Sequence, residues 1–173
     1  MTVFERFKRV RAFAFDVDGV FTNGNILVTE SGEQLRTFNV KDGYALQLAV
    51  NSGYPVLIVS GGKSKGVKLR FEGLGVKDVF IDEAHKEVVL EKWVKKNQLE
   101  FGDILFMGDD VPDMAAMKIV GFPVCPADAI EDVKALCRYI SPNAGGKGAV
   151  RDVIEKVMRL QGAWENNLSI KSI

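Results

Sequence analysis

Short apolar runs alternate with helix-like stretches along the chain. Three runs are apolar throughout and end in polar or turn residues, as buried parallel strands do: 12–15, 56–59 and 104–107. Apolar spacing and helix-ending residues predict helices over 44–51, 65–73, 87–97, 113–119, 129–137 and 149–160. This alternation predicts an α/β fold with a doubly wound, mostly parallel sheet that is covered by helices on both faces.

One segment breaks the alternation. Residues 25–40, "NILVTESGEQLRTFNV", have a period of two on both sides of "ESGE", which predicts a β-hairpin that protrudes from the sheet. A length of 173 residues suggests one domain, so we expect a single unit over 1–173 that ends in a polar tail at 162–173.

The composition excludes several classes of function. With 47% apolar residues, 27% charged residues and no formal net charge, the sequence is typical of a globular protein rather than of a nucleic-acid-binding one. No apolar run approaches the roughly 18 residues of a membrane span. Cys125 and Cys137 lack metal-binding or redox spacing and are expected to be free thiols. We therefore expect a cytoplasmic protein with no nucleic-acid or membrane partner.

The polar residues that follow the three strands suggest a site. The strands end in "DVDG", "SGGKS" and "GDDVPD", and open α/β sheets bind ligands beyond the carboxyl ends of their strands. Several carboxylates brought together repel one another unless a cation lies among them. An environment of oxygen ligands suits Mg²⁺, which also bridges to phosphate.

Each fragment alone has an ordinary structural explanation, because a D-x-D pair is usually a turn or cap and a lone lysine is usually a surface charge. Together and in this order they resemble the four motifs of the haloacid dehalogenase superfamily of phosphatases. The matching positions are 16–20 ("DVDGV"), Ser60 with Gly61, Lys86, and 108–113 ("GDDVPD").

The resemblance implies two roles for the first motif. Asp16 would be the nucleophile that carries a transient aspartyl phosphate, and Asp18 would act as the general acid and base. Mg²⁺ would be held by Asp16, by Asp109 and by the main-chain carbonyl of Asp18.

The other motifs would bind the phosphoryl group. By resemblance, the Ser60 hydroxyl, the Gly61 amide and the Lys86 ammonium would cover its oxygens. Asp110 and Asp113 would orient ligands or Lys86, although Asp113 could equally be a helix N-cap.

The spacing between motifs leaves no room for a separate cap domain, so this would be a capless member of the superfamily. A capless site is open to water. The 25–40 hairpin is the only local element that the sheet does not need, and a neighbouring subunit could use it to close a site.

A narrower resemblance covers essentially the whole chain. The segments "DVDGVFTNGNI", "FNVKDGYALQL", "SGGKS", "GDDVPD" and "GGKGAVRDVIEKVM" are similar to phosphatases that act on 3-deoxy-D-manno-octulosonate 8-phosphate. The resemblance implies removal of phosphate from an eight-carbon sugar acid during lipopolysaccharide precursor synthesis, and homotetramers formed through the hairpin. The implied substrate contacts are Asn39, Val40, Lys41, Asp42, Gly43, Gly61, Arg70 and Lys86.

The chain departs from these relatives next to the second motif. Many of them carry an arginine where this sequence has Gly62, so one anion contact is absent or is replaced by Lys63. This weakens the assignment of the substrate. The related phosphatases for 2-keto-3-deoxy-nonulosonate 9-phosphate favour a glutamate at that position, which leaves the eight-carbon substrate preferred and the nine-carbon substrate as the alternative.

A phospho-receiver module is an alternative from another class, because receivers also combine an acidic Mg²⁺ pocket, a hydroxyl residue and a lysine on an α/β sheet. Receivers place the phosphoacceptor on a central strand and have no D-x-D on the first strand. Repeated release of phosphate would distinguish an enzyme from such a module.

Overall fold

The protein is described here from a computed structural model, which covers residues 1–170 and 173. Its α-helices and β-strands, in chain order, are α1 (Val3–Arg9), β1 (Ala12–Phe15), β2 (Leu27–Val28), β3 (Gln34–Leu35), α2 (Val40–Asn51), β4 (Val56–Val59), α3 (Lys65–Gly73), β5 (Asp78–Phe80), α4 (Lys86–Lys96), β6 (Ile104–Met107), α5 (Met114–Ile119), β7 (Phe122–Cys125), α6 (Glu131–Leu136), β8 (Tyr139–Ile140) and α7 (Ala149–Leu160). Short 3-10 helices lie at Phe101–Asp103 and Val111–Asp113. None of these helices has the length and apolar character needed to cross a membrane, as far as the described residues go.

Six strands form one parallel sheet in the order β5-β4-β1-β6-β7-β8. β1 lies between β4 and β6, with Phe13 opposite Val56 on one side and Leu105 on the other. The three strands predicted from the apolar runs are therefore neighbours at the centre of the sheet. The predicted doubly wound α/β fold is confirmed.

Alternate side chains of the central strands build two cores. Phe13 and Phe15 face a cluster that includes α1, α2, α3 and α7, whereas Ala12 and Ala14 face a second cluster with α4, α5 and α6. Every residue of β1 is buried because both faces of the sheet are covered. This double cover explains why the strand is a continuous apolar run rather than an alternating one.

The outer strands and the first helix were not predicted from the pattern. β5 and β8 have only three and two residues, too few for a clear period. β7 contains Pro123, which usually argues against a strand. The carbonyl of Pro123 accepts a hydrogen bond from the amide of Arg138 at 2.9 Å, on the side of the short edge strand β8, so the proline ring disturbs only the edge of the sheet.

The hairpin prediction is confirmed, with shorter strands than the pattern suggested. β2 and β3 pair in antiparallel fashion, with Leu27 opposite Leu35 and Val28 opposite Gln34. They form a separate two-stranded sheet, and all four residues are exposed. The connecting turn contains Gly32 with φ of 84°, a left-handed conformation that favours glycine.

The polar tail packs back onto the domain before its end. Trp164 and Ile170 lie against the core cluster of α2 and α7, and the amide of Asn167 donates to the hydroxyl of Tyr44 at 3.1 Å. The predicted tail, 162–173, includes Lys171 and Ser172, which lie outside the described residues.

Asp42 joins two helices of the first core. Its Oδ1 accepts a hydrogen bond from the amide of Arg151 at 2.8 Å, and its Oδ2 accepts one from the amide of Gly148 at 3.2 Å. These amides belong to the first turn of α7, which begins after Gly148 without a side-chain cap of its own. Asp42, predicted as a substrate contact, is fully buried and caps α7 from within α2.

We expect Asp42→Ala to lower the free energy of unfolding by about 2 to 4 kcal/mol, because the part-buried amides of Gly148 and Arg151 lose the carboxylate of a fully buried residue. Urea unfolding would measure this change. Asp132→Ala removes an exposed carboxylate from the first turn of α6 and should alter stability by less than about 0.5 kcal/mol. If Asp42→Ala leaves the stability unchanged and raises KM, Asp42 is a substrate contact rather than a helix cap.

Candidate active site

The polar ends of the central strands converge on one cleft of about 550 Å³ at the carboxyl edge of the sheet. Asp16 directly follows β1, Ser60 follows β4, and Asp109 lies two residues after β6. Lys86, the first residue of α4, reaches the cleft from the side. The residues that line the cleft are Asp16, Asp18, Gly24, Ser60, Gly61, Gly62, Asp82, Glu83, Ala84, Lys86, Asp109, Asp110, Pro112 and Asp113.

The centre of the cleft is a buried lysine between two carboxylates. Lys86 Nζ lies 2.7 Å from Asp16 Oδ1 and 2.6 Å from Asp113 Oδ1, and all three residues are buried. Burial disfavours the charged ammonium, but the charges of Asp16 and Asp113 outweigh this effect and raise the pKa of Lys86. Lys86 therefore supplies a fixed positive charge to the cluster.

The carboxylates remain under electrostatic strain in spite of Lys86. Burial, followed by repulsion from Asp113, raises the pKa of Asp16 to about 8. Burial and the charges of Asp113 and Asp110 raise the pKa of Asp109 to about 7. More positive charge would be needed to keep these groups ionised together.

The geometry at Asp109 fits a metal ion. Ligand oxygens of Asp16, Asp109 and Asp113 lie within 4.8 Å of one another. Oδ1 of Asp109 is buried and accepts no hydrogen bond from the described residues, which is costly for a carboxylate that lacks a cation. A Cβ on Gly19, whose φ is +83°, would overlap Oδ2 of Asp109, so only glycine lets the first motif approach this carboxylate.

Asp113 organises the second half of the cluster. Its Oδ2 accepts hydrogen bonds from the amides of Asp109 at 2.9 Å and Asp110 at 3.3 Å, while Oδ1 binds Lys86. Of the two roles that the sequence left open for Asp113, the observed contacts match the orientation of a ligand loop and of Lys86. Although it stands at the N-cap position of α5, it makes no side-chain cap bond to that helix.

Asp18 lies apart from the carboxylate cluster and is paired with a residue that the sequence did not single out. Its Oδ1 accepts from Arg36 Nε at 2.6 Å and its Oδ2 accepts from Arg36 Nη2 at 3.1 Å. Arg36 directly follows β3 on the hairpin, where an arginine in the sequence is most simply interpreted as an exposed surface charge. Its contact with the cleft depends on pairing with Asp18, 18 residues earlier in the chain, and no local sequence pattern indicates such a pairing.

Ser60 is almost fully buried at the end of β4, and its Oγ accepts a hydrogen bond from the amide of Gly62 at 3.2 Å. Gly61 is exposed at the mouth of the cleft. The sequence left open whether the anion contact next to the second motif is absent or replaced by Lys63. Lys63 pairs with Asp82 at 3.2 Å, with both side chains more than half exposed.

The other predicted substrate contacts do not line this cleft. Asn39 and Lys41 line a second cleft of about 550 Å³ beside α7, and Val40 is exposed at the start of α2. Arg70 lies over the ring of Phe38, 6.0 Å from its centroid, and packs against Gly43. The structure thus separates the residues predicted for chemistry from most of those predicted for the sugar acid.

Comparison with known proteins agrees with this geometry. A family profile described as haloacid dehalogenase-like hydrolase matches residues 73–154. The 3-deoxy-D-manno-octulosonate 8-phosphate phosphatase KdsC of Escherichia coli K12 is 33% identical over 160 residues, which cover 92% of this chain and 85% of that protein.

Two solved structures share the fold. The 3-deoxy-D-manno-octulosonate 8-phosphate phosphatase of Yersinia pestis superimposes with a TM-score of 0.90 at 31% identity, covering 93% of this chain and 87% of that one. The enzyme of the same name from Moraxella catarrhalis, solved with magnesium, phosphate and KDO, gives 0.88 at 32% identity, covering 92% and 91%. The chain therefore belongs to the haloacid dehalogenase-like hydrolases, in the family of the 3-deoxy-D-manno-octulosonate 8-phosphate phosphatases.

Proposed function

We propose that this protein is a Mg²⁺-dependent phosphomonoesterase that hydrolyses 3-deoxy-D-manno-octulosonate 8-phosphate to the free sugar acid and phosphate, a step in lipopolysaccharide precursor synthesis. The observation that carries the proposal is the cluster of Asp16, Lys86, Asp109 and Asp113, in which the buried Oδ1 of Asp109 accepts no hydrogen bond from the described residues. Two relatives with this named activity cover nearly the whole chain, which favours an enzyme over a receiver module.

Asp16 would act as the nucleophile. Lys86 holds its Oδ1 at 2.7 Å and offsets the negative charge that accumulates as the carboxylate meets a phosphate ester. In the first step a carboxylate oxygen of Asp16 attacks phosphorus and the bond from phosphorus to the sugar oxygen breaks. Asp18, part exposed at the cleft, donates the proton that the leaving oxygen needs.

The second step reverses the proton transfer. Asp18 takes a proton from water, and the resulting hydroxide attacks phosphorus of the aspartyl phosphate, which releases phosphate and regenerates Asp16. The Ser60 hydroxyl and the Gly61 amide, whose residues line the cleft, would donate to phosphoryl oxygens in both steps.

Asp16, Asp109 and the main-chain carbonyl of Asp18 would hold Mg²⁺. The bound ion would neutralise charge on the phosphoryl oxygens and position them. Asp113 and Asp110 would fix the loop that carries Asp109, since the Asp113 carboxylate binds both amides.

For the sugar acid we keep Asn39, Lys41 and Arg70 as proposed contacts, and we place Asp42 in a supporting role because it is buried under α7. Asn39 and Lys41 line a separate cleft. They could contact the substrate of a neighbouring subunit if assembly brought that subunit's carboxylate cluster next to this cleft. We therefore propose a homotetramer in which the hairpin helps to close a neighbouring site.

We also propose one phosphatase domain over the whole chain and a cytoplasmic location. The two free cysteines, Cys125 and Cys137, support a reducing compartment.

Asp16→Asn should lower kcat by about 10³-fold or more while the fold is retained, because an amide cannot form the aspartyl phosphate. Phosphate release would be measured with Mg²⁺ on the eight-carbon and nine-carbon sugar-acid phosphates. Wild-type turnover by the variant would contradict the covalent mechanism. If the wild-type protein has a higher kcat/KM for the nine-carbon ester than for the eight-carbon one, the nine-carbon ester is the substrate.

The affinity for Mg²⁺ should increase as the pH rises from about 6 to about 8, because protons compete for Asp16 and Asp109, with pKa values of about 8 and about 7. Both carboxyls keep their protons to higher pH in the folded protein than in the unfolded chain. The metal-free stability should therefore fall over the same range, and Mg²⁺ should restore it.

Calorimetric titration of Mg²⁺ at several pH values would measure the affinity. Asp109→Asn should bind Mg²⁺ more weakly and with a smaller pH dependence. An affinity that does not change with pH would place the ion away from these carboxylates.

The exposed apolar pair on the hairpin, Leu27 and Leu35, is expected to mediate assembly, since the two side chains lie opposite each other and are 67% and 48% exposed. Replacing both with glutamate should shift light-scattering masses toward smaller species and reduce hydrolysis of the sugar-acid ester. Val88→Glu, on the exposed face of α4, is the matched control and should leave the mass unchanged. A fully active monomer of the wild-type protein would rule out closure by a neighbour.

A further inference from the structure

Arg36 is a buried cation at the mouth of the candidate active site. Its side chain is only 4% exposed, whereas that of its partner Asp18 is 30% exposed. The hairpin pairs as a separate two-stranded sheet, and a buried ion pair contributes little net stability. Stability alone therefore does not explain why the guanidinium lies beside Asp18 and Gly62, at the edge of the cleft.

Gly62 marks the space that this guanidinium faces. A Cβ built on Gly62 would lie 3.1 Å from Arg36 Nη2, 3.3 Å from Asp18 Oδ2 and 3.5 Å from Ser60 Oγ. These three polar atoms surround one point, between the hydroxyl proposed to bind phosphate and the proposed general acid. Any side chain at position 62 would crowd Arg36, so the glycine keeps the space open.

Arg36 still has hydrogen-bonding capacity toward that space. A guanidinium carries five N–H donors. Three of them are used in the described structure: Nε and one Nη2 proton bind Asp18, and one Nη1 proton binds the carbonyl of Gln34 at 3.2 Å. One donor on each terminal nitrogen remains, and an anionic oxygen could accept from them without displacing Asp18.

The other nearby cation does not compete for this role. Lys63 extends to Asp82, and its side chain is 77% exposed. Since the residue at 62 has no side chain, the second motif itself provides no fixed cation at the cleft mouth.

We propose that Arg36 is a substrate-binding residue whose guanidinium binds an anionic oxygen of the substrate, phosphoryl or carboxylate, in the space left open by Gly62. This inference rests on the proposed function, because it takes the cleft to be the site that holds the ester. It assigns to the base of the hairpin a contact within its own subunit, distinct from any role of the hairpin tip in a neighbour.

Arg36→Met tests the contact because it keeps the length and apolar volume of the side chain and removes the charge. We expect KM for the sugar-acid phosphate to rise by about 10- to 100-fold, as for loss of a charged hydrogen bond. The affinity for Mg²⁺ should stay within about twofold of the wild type, which a general collapse of the cleft would not allow. Arg36→Lys, which keeps the charge but not the fork, should show a smaller rise.

Two further ligands distinguish the source of the anionic oxygen. If Arg36 binds the phosphoryl group, Arg36→Met also weakens calorimetric binding of inorganic phosphate in the presence of Mg²⁺ and raises KM for a neutral sugar phosphate. If it binds the carboxylate, those two quantities are unchanged and binding of the free sugar acid weakens instead. Either result supports the proposal.

Lys63→Met is the matched control and should change none of these quantities by more than about twofold. The proposal is overturned if Arg36→Met and Arg36→Lys both bind every ligand as the wild type does, or if Lys63→Met causes an equal loss. Absence of phosphate release by the wild-type protein from any ester would count against the proposed function alone, because the calorimetric titrations still test Arg36.

Discussion

The placement of like charges at one edge of a parallel sheet is the constraint on which the site depends. Asp16 and Asp109 follow neighbouring central strands, so the sheet register itself forces their carboxylates together. Lys86 offsets this repulsion because its ammonium binds both Asp16 and Asp113. The helix that begins at Lys86 packs its apolar side against the second core, which fixes the position of the lysine. The close approach of these charged groups in the cleft therefore follows from the strand order of the sheet and from the packing of its helices.

Glycines and short loops let the charges approach so closely. Gly19 gives the Asp109 carboxylate room beside the first motif, and a Cβ on Gly108 would lie 2.5 Å from that of Asp113. Such a cluster is costly without a cation, since a buried carboxylate oxygen that has no partner destabilises the fold. The strain is acceptable if a cation and a phosphate ester complete the charge balance.

The sequence predicted the centre of this molecule better than its periphery. The three central strands, two helices with unchanged bounds and the residues of the carboxylate cluster followed from apolar runs and from motif order. The edge strands were too short to show the two-residue period of a strand. β7 was not predicted because it contains Pro123, a residue that usually argues against a strand. Arg36 and the buried position of Asp42 could not be predicted, because each depends on pairing between distant segments rather than on a local pattern.

The strands of the hairpin have only two residues each, so their register depends on the length of the exposed turn between them. Surface turns normally tolerate inserted or deleted residues. Here a slip of one residue between β2 and β3 would turn Leu27 and Leu35 to opposite faces and shift Arg36 by about 3.3 Å along the strand, out of reach of Asp18. The length of the 29–33 turn therefore affects the geometry of a pocket that the turn does not line, because it sets the register that brings Arg36 to Asp18.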